Sequence, residues 1–123
     1  MKILSCLLVT FLLGGCAAWP TETKIEETSF MTLHAIDGLQ TANIRGTPHC
    51  YEAESAWAMG REPSTGSTAA FFAVAAVAHF AVTDLLVNMH AKSWVIRAWE
   101  LGSVAWDARD VANNAAIGIP VTR

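Results

Sequence analysis

The chain has 123 residues, a formal net charge of −3, 53% apolar side chains and only 15% charged ones. That length fits one domain with a modest core, and its eight Lys and Arg are scattered, which excludes a nucleic-acid surface built from clustered cations. So few charges are lean for a surface in water, and they direct attention to contact with a membrane or with other subunits.

The first element is apolar and amino-terminal. Met1 and Lys2 make a minimal charged region, and residues 3–13 form an apolar stretch broken by Ser5, Cys6 and Thr10. Gly14-Gly15 then lets an extended chain enter a peptidase. Eleven residues at about 1.5 Å each reach only half of a hydrocarbon core of about 30 Å, which favours a cleaved signal over a retained spanning helix. Leu13-Gly14-Gly15-Cys16 resembles the lipobox of bacterial lipoprotein precursors. The resemblance implies that residues 1–15 are removed and that Cys16 becomes the amino terminus, carrying covalent lipid. No other cofactor is expected. It also implies a place in the bacterial cell envelope, anchored to the membrane through Cys16. Ala17 after the cysteine implies outer-membrane delivery by the enteric rule, whereas spanning helices would imply inner-membrane retention. The mature part loosely resembles uncharacterised small envelope and prophage-encoded lipoproteins, a likeness of general form that assigns no functional residue.

With Cys6 removed and Cys16 lipidated, Cys50 is the remaining thiol, so no internal disulfide is expected. His49-Cys50 could be read as a metal half-site, but no second cysteine pair completes zinc spacing. Cys50 reads as a loop cysteine that packs as a small hydrophobe or pairs with another chain.

Residues 16–22 read as a lipidated tether and 23–123 as a single helical domain. Thr23 and Glu26 have capping-box spacing and open a helix over about 23–44, which stops before Gly46-Thr47-Pro48. A short helix over about 51–59 puts Trp57 on its apolar side. Ser67 or Thr68 caps a helix over about 68–88, whose stretch 69–87 has only His79 and Asp84 as ionisable members. Nineteen residues cover about 28 Å as a helix, just enough for a bilayer. Ser93 caps a last helix over about 93–114, ahead of Gly118 and Pro120. The expected fold is therefore all-α: a small, membrane-associated bundle of three main helices plus a short one.

Two of these helices carry polar stripes. At about 100° per residue, His34, Asp37, Thr41 and Arg45 fall within about 80° of one another on the first. Glu100, Ser103, Asp107, Asp110 and Asn114 repeat at spacings of three and four on the last. Such a stripe faces water on a soluble bundle, or faces inward on a bundle surrounded by lipid. His79 and Asp84 lie about 140° apart on the middle helix, so at least one must find a partner or be neutral. In an up-down-up bundle the first and last helices run parallel, which brings Arg45 to Asp107 or Asp110 and His34 to Glu100. His34, Asp37, Arg45, His79, Asp84, Glu100, Asp107 and Asp110 thus form the candidate buried polar cluster. His34, Asp37 and His79 are its candidate metal ligands.

No catalytic signature is present: there is no His-Glu-x-x-His, no paired Glu-x-x-His and no phosphate loop. The expected role is structural or partner-binding, with membrane lipid and an envelope protein or a second copy as partners and no nucleic acid. The alternative is a membrane-embedded metal-dependent enzyme, or an ion- or proton-handling protein, that uses the polar stripes.

Overall fold

A computed structural model describes residues 18–122, so the lipobox and Cys16 lie outside the described residues. The described chain is all-α: α1 (Thr21–Asn43), a 3-10 turn (Ile44–Gly46), α2 (Ala56–Met59), α3 (Thr65–Asn88) and α4 (Ser93–Ala116). The expected bundle of three long helices and one short one is therefore observed. α1 packs against α4 along its length and against α3, whereas α3 and α4 touch less. Glu26 meets Arg97 and His34 meets Asp107, so α1 and α4 run parallel. His79 meets Glu27 and the Phe72 carbonyl meets His34, so α3 runs antiparallel to both.

The helix ends differ from expectation in their chemistry. Pro20 precedes α1 and no side chain caps it, so the Thr23–Glu26 spacing is not a capping box; both residues are buried inside the helix instead. Ser64, three residues upstream of the expected cap, accepts from the Ser67 amide and starts α3. Lys92 precedes α4, again without a side-chain cap. The short helix shrinks to Ala56–Met59, because Glu52 uses its carboxylate to bind the Glu54 and Ser55 amides and holds 52–55 in a turn. Trp57 is 84% exposed rather than packed.

The C-terminal end is pinned back onto α1. Gly118, at φ +84, lets the Ile119 amide reach the Asn114 carbonyl, the wrapped helix end that a left-handed residue permits. Ile119 is thereby buried, and the Pro120 carbonyl accepts from Asn43 Nδ2 at 2.9 Å. The same turn at the end of α3 uses His90, at φ 53. At the other face of α1, a Cβ on Gly38 would meet the Phe72 ring at 3.1 Å, so the missing side chain sets how closely α1 and α3 approach.

The interior is unusually polar for a bundle in water. Beside the buried apolar residues Phe30, Ile44, Phe80, Ile96 and Ile119, it holds Glu26, Glu27, Gln40, Thr41, Thr68, His79, Thr83, Glu100 and Asp107. Val74, Val77 and Leu85 on α3 are 70%, 49% and 56% exposed, and Trp94 and Leu101 on α4 are exposed too. Among the described residues α3 is the one helix long and apolar enough to cross a bilayer, with mean hydropathy 2.0 and 17% burial over its most apolar window.

Candidate functional site

The interior polar groups sort into layers along the bundle. Nearest the start of α1, the Trp19 indole donates to Asp84 Oδ1 at 3.0 Å and its ring packs on Phe80 at 4.9 Å. Asp84 also accepts from Asn88. The segment expected as a tether thus has Trp19 buried at 4% exposure, and α1 begins two residues later.

The second layer takes one residue or more from each long helix: Glu27 of α1, His79 and Thr83 of α3, and Trp99 and Glu100 of α4. His79 Nδ1 lies 3.2 Å from Glu27 Oε2. The Thr83 hydroxyl sits 3.1 Å from Glu27 Oε2 and 2.5 Å from Glu100 Oε1, while accepting from the Trp99 indole at 3.1 Å. A hydroxyl has one proton, so it can satisfy only one of these carboxylates at a time. Glu100 is 0% exposed, and its Oε2 has no hydrogen-bond partner; neither has His79 Nε2. Burial and the Glu27 charge push the Glu100 carboxyl upward, against the Thr83 hydrogen bond that holds it down.

Above this layer the aromatic rings form a stack. Phe30 lies 3.7 Å from the His79 ring and 5.0 Å from the His34 ring, stacked with both, and His79 stacks on Trp99 at 4.7 Å.

The third layer centres on His34. Its Nδ1 is 2.9 Å from Asp107 Oδ2 and its Nε2 is 3.2 Å from the Phe72 carbonyl. Both neighbours are acceptors, so satisfying both requires a proton on each nitrogen. Burial pulls the His34 pKa down, but the Asp107 hydrogen bond and charge and the Phe72 carbonyl outweigh it, leaving the imidazole shifted upward. Beyond it, Asn114 Nδ2 donates to Asp37 Oδ1 at 2.7 Å. Burial, then the charges of Asp110 and Asp107, raise the Asp37 carboxyl to about 7. Asp110 is raised by burial and by Glu54, with Arg109 opposing. This layer opens into a cleft of about 360 Å³ that is also lined by Tyr51, Glu52, Glu54 and Trp106.

The predicted cluster is therefore partly assembled and partly redistributed. His79, Glu100, His34, Asp107, Asp37 and Asp84 all meet polar partners. Arg45 does not join them: it is exposed in the 3-10 turn with no ion pair among the described residues, because α1 ends at Asn43 and the chain leaves the stripe before Arg45. His34 takes the place expected for Arg45 beside Asp107, and Arg109 pairs with Asp110 at 3.8 Å. His34 in turn does not lie beside Glu100, whose partner is Thr83. The metal set expected from His34, Asp37 and His79 is divided, since the two imidazoles stack on Phe30 instead of converging. The described residues group Glu27, His79 and Glu100 instead, with one ligand atom from each within 4.8 Å of the others. Glu27 and Thr83 lie outside the predicted cluster; Glu27 lies seven residues, about two turns, before His34, and Thr83 lies one turn after His79, so helical periodicity places each on the same face as a residue of the cluster. Cys50 is half-buried beside an exposed, left-handed His49, away from every layer.

No known family model matches this chain, and neither a curated protein nor a solved structure is found that resembles it.

Proposed function

We propose that the chain is a small lipid-anchored protein of the bacterial cell envelope, tethered through acylated Cys16 and seated in the membrane by the outer face of α3, with a structural or partner-binding role. The observation that carries this reading is the polar bias of the inner face of α3, which buries Thr68, His79 and Thr83 beside Phe80 while Val74, Val77 and Leu85 are exposed. In water each exposed apolar side chain forgoes about 25 cal/mol per Å² of burial, and against acyl chains that loss disappears. A polar inside and an apolar outside are what a hydrocarbon solvent favours.

The anchor end agrees with it. Three residues of chain reach at most about 11 Å, so lipid on Cys16 would hold the Trp19–Asp84 end of the bundle at the bilayer. Met89 and Trp94, 69% and 67% exposed, flank that same end, where an amphipathic indole favours the headgroup level. Arg97 and Arg109, half-exposed, lie on α4 rather than on the outer face of α3.

Alkaline carbonate extraction of the Cys16→Ser protein tests the seat in the membrane. If α3 is inserted, it holds the protein without any acyl chain, so the unlipidated protein should stay in the pellet, whereas a domain tethered by lipid alone should be released. Its release as a folded soluble monomer would overturn the membrane seat. Intact-mass measurement of the unmutated chain tests the anchor, with a chain beginning at acylated Cys16 expected and a mature form retaining Lys2 ruling it out.

A further inference from the structure

We propose that Glu27, His79 and Glu100 form a binding site for one divalent transition-metal ion of the zinc, manganese or iron class, held in the middle of the bundle. Each long helix supplies one ligand, and the three ligand atoms lie within 4.8 Å of one another. All three side chains are more than nine-tenths buried, at 5%, 6% and 0% exposure. Donor accounting then points to a missing positive partner. The layer holds four carboxylate oxygens, and the Thr83 hydroxyl proton and His79 cannot satisfy them all. Glu100 Oε2, buried without a partner, belongs to the ligand set itself.

Charge agrees with the accounting. Two ionised carboxylates with a neutral imidazole carry −2, which a divalent ion cancels, whereas a proton shared between the carboxyls would leave a formal −1 unless His79 were charged as well. Two carboxylates and one imidazole suit zinc, manganese and iron, and the imidazole disfavours magnesium and calcium. His79 Nδ1 lies 3.2 Å from Glu27 Oε2, on the side of the ring where the carboxylate ligand sits. Phe30 and Trp99 stack on the two sides of that ring and fix its plane. The groove between α3 and α4, lined by Ala78, Val82, Ala98 and Gly102, reaches His79 and offers an entry path through small side chains.

The test uses full-length lipidated protein in mild detergent, stripped with a chelator and titrated with Co²⁺, followed by the visible bands of the bound ion and by competition with Zn²⁺. One equivalent is expected, with binding at least 100-fold weaker in Glu100→Gln and in His79→Ala and unchanged in Asp37→Asn. Parent protein that takes up no stoichiometric Co²⁺ overturns the site, and this reading needs no variant to fold. Equal loss in Asp37→Asn and Glu100→Gln would overturn the assignment of ligands. The outcome is independent of carbonate extraction, so the metal site and the membrane seat stand or fall separately.

Discussion

The Glu27–His79–Glu100 layer and the Asp37–Asp107–Asp110 cleft are built from the same residue types, yet their surroundings give them different physics. In the cleft, carboxylates find a doubly hydrogen-bonded imidazole, the Asn114 amide and the half-exposed Arg109, with water able to reach the rest. In the layer, two carboxylates share one hydroxyl and one imidazole, and Glu100 has no exposure at all. Desolvation penalises carboxylates in both places, raising Asp37 as well as Glu100, but in the layer Glu100 Oε2 is also left without any partner. The contrast teaches that burial, more than the count of ionisable residues along a stripe, decides where this molecule stores its polar energy.

The largest effect should come from Thr83→Val, measured on chelator-treated protein by equilibrium unfolding in detergent. The substitution keeps the shape while removing the one hydroxyl that serves Glu27, Glu100 and Trp99. It should cost about 3 kcal/mol, since buried groups left unsatisfied lose about 1 to 3 each. A loss under about 0.5 kcal/mol, the level of an ordinary surface change, would mean the layer is wet and the contrast false.

A pH series on Asp37→Asn sharpens the other side of the comparison. The folded Asp37 pKa, about 7, lies above its ordinary 3.8. The folded state therefore binds the proton more tightly, and the stability this contributes is complete below the ordinary value and lost as pH rises through 7. At pH 8 the variant should be more stable than the parent by about 1 kcal/mol, allowing for solvent screening of a partly exposed group. Near pH 4 the gain should vanish. His34 is shifted upward in part by the Asp37 charge, so the variant also loses that part of the His34 shift and the difference reports the pair together. Parallel stability curves for the two proteins across this range would sink the prediction.

The smallest effect is expected at Arg45→Ala. Arg45 is exposed in the 3-10 turn, so the change should stay within about 0.5 kcal/mol by chemical denaturation. A loss of several kcal/mol would restore the ion pair that the stripe arithmetic suggested and would place a buried cation in the cleft.

Much of the fold was legible because local chemistry dictates it. The Gly46-Thr47-Pro48 breaker, the Ser64 and Ser67 cap region and the terminal Gly118 are short-range signals, and they bracket three helices in the expected up-down-up order. The alanine-rich stretch around 69–87 announced an apolar helix by composition alone. The stripes of α1 and α4 also pointed inward as one of two readings, because their remaining circumference is apolar. What sequence by itself could not decide was pairing across helices. Arg45 and His34 are interchangeable as cations in a sign-matching argument, and only where α1 ends makes one exposed and the other a partner for Asp107. Likewise His34 and His79 share a polar interior, and while Phe30 meets His34 one turn along the same helix, its stacking on His79 is a tertiary fact. The convergence of Glu27, His79 and Glu100 depends on the relative rotation of three helices, a quantity set by packing details such as the Gly38–Phe72 approach and not by any periodicity along the chain.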